Sequence, residues 1–574
     1  TRLKTYLYKL NQMKLRRIIM QKLLSKLFAL VILVTVNIHA QDTLAVPHMI
    51  GTDPVGALNA TIVGDTTTTG AQAHSVYLLE NDKIYLMNAI LITDYDLNLV
   101  GEAPDPSDAA SKPPVIQAAV LEDNSRQGSF IHANSGNVTL RGVMFNGNTP
   151  DGLQRVNHVV KLLTDGQRLT VDGCHIEGMR SHSFYPGGTL MKVYMTNSVI
   201  RGVNSGDIFS GCFFRGGGQY DTLVVQNTTY INSSSYAWVN AKPSNYALWD
   251  HNTFANIMGD FFFAPGMANT TITNNIFYNI QIMGQTSTEL AGGWFPFRDQ
   301  PHSVIDLDTL KSADWPDYIG ANRNIHVNNN VYFNDSVVEA WWDEVITVTV
   351  PDVSSNDSTY LDTLMGGPWM NDRTVALFAS NSSMSESNNQ SLDPMFTSLP
   401  VAYRDSIIAH CLDYRVDRAT SSDVFWQYEA DANWGVVQYP MDEDMSYTNA
   451  AAMTASTNGG PVGDLRWMDG TLSSKEDNKV LPKDFTLHQN YPNPFNPRTD
   501  ISFTLNKESE VTLTIFNMLG QQVKELTSGL KPAGNYTLQW NGSDNMGARV
   551  SSGIYLYTLN NGSRSHTKKM VLMK

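Results

Sequence analysis

Between residues 140 and 335 the chain keeps repeating one pattern of polar and apolar positions. The segments "LRGVMFNG", "VDGCHIEG", "MTNSVIRG", "VQNTTYIN", "WDHNTFAN", "ITNNIFYN" and "VNNNVYFN" follow one grammar. Their third positions are Gly142, Gly173, Asn197, Asn227, His251, Asn274 and Asn329, at intervals of 31, 24, 30, 24, 23 and 55 residues. Each segment closes five residues later on Gly147, Gly178, Gly202, Asn232, Asn256, Asn279 or Asn334. Between these marks run short stretches in which apolar or β-branched residues alternate with polar ones, such as Leu223 and Val225 or Thr270 and Ile272. A period of two predicts strands. Gly and Asn tolerate left-handed backbone angles, so each mark predicts a sharp turn without a long loop.

A unit this short cannot bury its own apolar face. Units stacked in parallel, about 4.8 Å apart, form one continuous core. The expected fold is therefore all-β, a parallel β-helix, and its right-handed sense follows from resemblance to known β-helices. Asn197, Asn227, His251, Asn274 and Asn329 are expected to form a structural ladder, the asparagines linked by amide hydrogen bonds. The 55-residue interval predicts either one coil with a long insertion, about 283–324, or two coils with one degenerate. Upstream, residues 82–120 read as opening coils and resemble the start of pectin-lyase-like β-helices. From 336 to 472 the repeat fades into loop-rich, aromatic sequence, expected to be irregular late coils and a cap.

The ends carry different signals. Lys22 and Lys26 precede the apolar run Leu27–Val36, and Ala40 is a small residue suited to cleavage. About ten apolar residues are too few to span a bilayer, so 1–40 reads as an uncertain start plus a secretory signal peptide, with no transmembrane span in the mature chain. The domains expected are a β-helix over 41–335, late coils and cap over 336–472, a linker over 473–484 and a last domain over 485–574. That last domain has alternating strands in "DISFTL", "EVTLTIFNM", "NYTLQW" and "GIYLYTL", which predict a small antiparallel, Ig-like β-sandwich. On "NYPNPFNP" (490–497), "GQQV" (520–523), Gly534–Trp540, Gly547, "SGIY" (552–555) and the basic end 568–574, it resembles the type A C-terminal sorting domain of the Bacteroidetes type nine (Por) secretion system. The resemblance implies passage across the outer membrane by that machinery, then release or surface attachment.

Composition narrows the function. Lys and Arg number 40 against 55 Asp and Glu, a net charge of −15. This excludes a protein built to hold nucleic acid, though a local basic face escapes the test. Three cysteines, Cys174, Cys212 and Cys411, allow at most one disulfide. Nothing in the chain indicates an oligomer, and a monomer is expected.

Exported β-helices commonly act on or bind polysaccharides, so an extracellular polysaccharide is the expected partner. Cleavage of a uronic-acid polymer by a lyase needs a base, a cation at the carboxylate and a proton donor. The stretch Trp238–Asn279 resembles the lysine-bearing coil of the chondroitinase B/alginate lyase family at Lys242, Asn245, Asn252, Thr253 and Phe254. It departs from the family at Pro243, at Ala264 where the family has Arg, and at Ser235 and Ala237 where it has acids. Beside Lys242, the candidate catalytic cations are Arg215, Lys161 and Lys192, with Arg201, Asp207, Asp221 and Asp250 near them in the repeat. Lys161 and Arg215 each lie twelve residues before a turn mark, which predicts one flank, two coils apart. A glycosidase would instead need a carboxylate pair, for which Asp207 with Asp221 or Asp250 with Asp260 are the candidates. His251 is expected to stack within the ladder, and His175 and His182 to be exposed. Trp294, Phe295 and Trp315 are candidates for a sugar-stacking wall. No metal motif is present; calcium on the carboxylates of Asp442–Asp444 is the one cofactor suggested. A glycan-binding scaffold or adhesin without catalysis is the alternative to an enzyme.

Overall fold

The computed structural model describes residues 43–572, except 105–110, 122–126, 153, 204–213, 217, 235, 241, 260–261, 264–266, 293–301, 308–317, 319–321, 351–357, 417–440, 469–484, 488–489, 491–492, 494, 506–508, 518–521, 533 and 561–564. The signal-peptide segment, Cys212, Asp207, Asp260, Ala264, Trp294, Phe295 and Trp315 lie outside the described residues.

The repeat winds into a parallel β-helix with three faces: sheets of eleven, ten and seven strands, called here the first, second and third. Consecutive first-sheet strands pair in parallel from Leu97–Gly101 through Val138–Arg141, Arg168–Asp172, Met191–Thr196, Tyr220–Gln226, Tyr246–Asp250, Thr270–Thr273 and Ile325–Asn328 to Met384–Ser387. Strand Thr270–Thr273 pairs directly with Ile325–Asn328, so the 55-residue interval is one coil carrying an insertion. One coil beyond those visible in the repeat follows, Met384–Ser387 with Gln390–Ser391.

The turn marks form a column at the corner between the first and second sheets. Gly142, Gly173, Asn197, Asn227, His251, Asn274, Asn329 and Asn388 all have φ between 47° and 62°. Each of the first seven donates its backbone N–H to the carbonyl ending the next first-sheet strand, as in Asn197 N to Gln226 O and Asn227 N to Asp250 O. The amide ladder itself runs one residue further on, a correction to the expected position. Asn252 Nδ2 donates to Asn275 Oδ1 at 2.9 Å, Asn275 to Asn330 at 3.0 Å and Asn330 to Asn389 at 2.9 Å. The marked column supplies backbone geometry, which points its side chains away from this line; Asn197 and Asn274 instead donate to Asp172 and Asp250. A second ladder at the far end of the second sheet links Asn232, Asn256 and Asn279, and continues to Asp335.

Inside the coils the apolar positions meet. Phe254 stacks on Phe277 with ring centres 5.4 Å apart, and Trp238 meets Trp249 edge-on at 4.8 Å. The family-like "NTF" of residues 252–254 is thus coil architecture: a ladder amide, an outward hydroxyl bonded to Asp464 N, and a core ring. Cys174 and Cys411 are buried and in no disulfide.

The segment expected to cap the stack lies, over described residues 441–468, along the outer face of the second sheet. Met441, Met445 and Trp467 pack on Val199, Ile231 and Ala255. Helix Val401–Val416 adds Tyr403, Ile407 and Cys411 to a cluster with Met258, Trp341 and Trp342. The C-terminal unit is an antiparallel sandwich of three strands and four. Two residues of its proline motif enter the core: Phe495 packs on Trp540 at 5.5 Å, and Asn490 donates to Thr499.

Candidate binding face on the third sheet

The third sheet comprises Leu91–Thr93, Ser129–Ala133, His158–Leu162, Phe184–Pro186, Phe214–Gly216, Trp238–Asn240 and Phe262–Phe263. Its register aligns Ile92, His132, Lys161 and Tyr185. Pairing of Phe184 with Phe214 puts Arg215 at the next rung beside Tyr185, followed by Val239 and Phe263. Strand side chains alternate between faces. Leu91, Ile131, Val160 and Phe184 enter the core, so Ile92, His132, Lys161 and Tyr185 stand on the outer face. Lys161 and Arg215 occupy the same strand position two coils apart, about 10 Å at the strand spacing.

The chemistry of this row is cationic and aromatic. Lys161 Nζ lies 5.7 Å from the centre of the Tyr185 ring. Next to it, His158 and His182 are 5.6 Å apart, and His158 is 5.8 Å from Tyr185. Burial pushes the His158 pKa down to about 4; its hydrogen bond to His182 O opposes this, and Lys161 and His132 add to it. His132 is also held below its usual value, by burial and then by Lys161. Both shifts favour the uncharged imidazole. No carboxylate stands at any rung from Ile92 to Phe263. In a chain of net charge −15 this is a local exception.

The other sequence candidates are dispersed. Lys192 is on the first sheet, 3.8 Å from Asp221. Asn245 donates to the same carboxylate at 3.1 Å and accepts from Gln219 at 3.1 Å. Lys242 lies in the turn between Trp238–Asn240 and Tyr246–Asp250. The four cations thus fall on two sheets and a turn.

Arg201 is only 1% exposed, on the outer face of the second sheet. It donates to Glu443 at 3.2 Å and to Tyr403 at 3.1 Å, with Glu177 4.0 Å away. Burial raises the Glu443 pKa although Arg201 opposes it. Burial also acts to raise Glu177, but Arg201 and His175 outweigh it and hold that carboxyl low. This is a clasp holding the overlying segment to the coils. Glu443 and Tyr403 were invisible beside Arg201 in the sequence, because they lie 242 and 202 residues away.

Two expectations are corrected here. The acidic run 442–444 is not a free calcium loop: Glu443 is engaged by Arg201, and Asp444 accepts from Ser446 N. His175 and His182 are buried, and His175 contacts Glu177 at 3.1 Å. His251 keeps its place in the turn column and contacts Asp250 at 2.7 Å. Among the described residues no group of three or more His, Cys, Asp or Glu is arranged to hold a metal, and no helix is long and apolar enough to cross a membrane.

Residues 495–565 match the FlgD Ig-like domain family. No curated protein matches the chain. Among the solved structures similar to it, two overlap a small part of the chain. One is dimeric latent PorU from Porphyromonas gingivalis, 17% identical over 16% of this chain and 9% of that one, with a TM-score of 0.14. The other is PorZ, an essential bacterial surface component of the type-IX secretion system of the same organism, 19% identical over 15% of this chain and 11% of that one, with a TM-score of 0.12. The chain thus spans about a tenth of the length of either. What the comparisons establish for this chain is an Ig-like domain at its C-terminal end.

Proposed function

We propose that this is an exported β-helix that binds an acidic extracellular polysaccharide along its third sheet, and that its C-terminal sandwich is the address read by the type nine secretion machinery. The observation that carries the binding reading is the row His132, Lys161 and Tyr185 on one outer face, with Arg215 at the following rung by strand register. A linear polymer laid along the helix axis meets a new rung about every 4.8 Å, so weak contacts add along its length. Lysine and arginine attract the carboxylates, and Tyr185 offers a flat face to a sugar ring. The export half rests on the lysine-flanked apolar run before Ala40 and on the sorting-domain resemblance, with which the Ig-like match agrees in fold.

Binding without cleavage is favoured, because Lys242 sits apart from the Lys161–Arg215 row and Asn245 is engaged by Asp221 and Gln219. Affinity gels containing alginate, pectate, chondroitin or a neutral glucan test the reading, with absorbance followed at the unsaturated-uronate band. Retardation by an acidic gel with flat absorbance is expected. Rising absorbance that Lys242→Ala abolishes would make the protein a lyase, and equal mobility in every gel would remove the polysaccharide reading.

A further inference from the structure

The third sheet carries one more group beside its row of cation and ring. His158 opens strand His158–Leu162, three residues before Lys161, and the register sets it next to Ser129. Its tautomer is fixed by a neighbouring coil. Nδ1 lies 2.8 Å from the backbone carbonyl of His182, and a carbonyl only accepts, so Nδ1 holds the proton and donates it. The lone pair is therefore on Nε2. Among the described residues Nε2 meets no hydrogen-bond partner, although the residue is only 7% exposed. Burial pushes the His158 pKa down to about 4, so this nitrogen keeps its lone pair above that pH.

The surroundings decide what that lone pair can meet. The His158 ring is 5.8 Å from the Tyr185 ring, and Lys161 Nζ is 5.7 Å from the same ring. A hydrogen-bond acceptor and a cation thus flank one aromatic ring, within the compass of a single sugar. A uronate offers a carboxylate, a ring face and hydroxyls. Its ionised carboxylate only accepts, so it pairs with Lys161 and not with Nε2; the hydroxyls are its donors.

We infer that His158 is a specificity-determining residue of the third-sheet face, whose Nε2 accepts from a free hydroxyl of the sugar bound at Lys161 and Tyr185. The inference rests on the acidic-polysaccharide reading and deepens it. A sugar whose hydroxyls are esterified has lost the donor and turns acyl oxygens, themselves acceptors, toward Nε2. A site built to pair with a hydroxyl discriminates against a ligand that lacks it. The face therefore selects polyuronates with free hydroxyls over O-acetylated ones.

Calorimetry on the full chain tests this with an oligomannuronate and the same oligosaccharide after chemical O-acetylation. The wild type is expected to prefer the unacetylated form by at least about tenfold, the effect of one lost hydrogen bond. His158→Asn keeps a side-chain N–H for the His182 carbonyl but has no atom in the place of Nε2. It should bind the two forms alike, at the weaker of the two wild-type affinities. Should that variant fail to fold, NMR of the wild-type chain with isotope-labelled histidine answers the same question. The Nε2 resonance should shift on addition of the unacetylated form and stay in place with the acetylated one. Equal wild-type affinity for both forms, a preference that survives in His158→Asn, or an Nε2 resonance unmoved at saturation would overturn the role of His158 and leave the acidic-polymer reading intact. Binding of neither form would remove both.

Discussion

The side-chain amide of Asn275 donates to Asn330 Oδ1 at 3.0 Å although 55 residues of chain separate them. The same amide donates to Trp249 O at 3.0 Å, and its oxygen accepts from Asn252 N and Nδ2, both at 2.9 Å. Asn275 is wholly buried, so each of these groups would lose its partner without gaining water. Asn275→Ala is expected to destabilise the β-helix by roughly 2–4 kcal/mol, since each stranded group costs about 1–3 kcal/mol. Thermal unfolding followed by circular dichroism checks this. A melting temperature equal to wild type would mean the ladder is not cooperative with the fold.

Asn227 carries the turn column without a side-chain role of comparable weight. Its φ is 47°, and its Oδ1 is buried without a hydrogen-bond partner among the described residues. Asn227→Gly should be neutral or slightly stabilising. Asn227→Val should cost about 1–2 kcal/mol or more, because a β-branched residue is strained in the left-handed region. Comparing the two melting temperatures separates backbone strain from lost contacts.

The flanking segment is fastened by Trp467, whose Nε1 donates to Thr229 Oγ1 at 2.7 Å while the ring packs on Val199, Ile231 and Ala255. Trp467→Ala should cost about 3–5 kcal/mol. It should also expose the outer face of the second sheet, seen as faster proteolysis within 441–468 and increased binding of a hydrophobic dye. Unchanged proteolysis would show that the segment is held elsewhere.

Acid stability reports on Asp250. Burial tends to raise its pKa, but hydrogen bonds from His251, Asn274 and Gln226 outweigh burial and leave it below the ordinary carboxylate value. A folded pKa below the unfolded one adds stability above the unfolded value, about 3.9, and that stability is lost as pH falls through the folded value. Asp250→Asn should therefore flatten the fall in melting temperature below about pH 4. An unaltered acid limb would show that Asp250 contributes nothing to it.

The repeat was legible because one physical demand, a left-handed corner, recurs at the same place in every coil and only Gly and Asn meet it cheaply. Asn197, Asn227 and Asn274 announced that corner, but the hydrogen-bonding ladder belongs to their neighbours Ser198, Thr228 and Asn275, whose types vary from coil to coil. The clasp of Arg201 by Glu443 was not legible, because no local pattern links residues 242 apart. The third sheet was only partly legible. The spacing of Lys161 and Arg215 matches a shared strand register two coils apart, but Tyr185 between them, and the split of Lys192 and Lys242 from them, depend on turn lengths that differ in each coil.

The row on the third sheet is the centre of the functional account, and charge reversal addresses it directly. Polyuronate affinity of the wild-type chain and of a Lys161→Glu, Arg215→Glu double variant can be measured by calorimetry at two salt concentrations, with melting temperatures recorded alongside. The account predicts binding that weakens with salt in the wild type and falls at least about tenfold in the variant, while the melting temperature stays put. Equal affinity in the two proteins, or binding indifferent to salt, would contradict it.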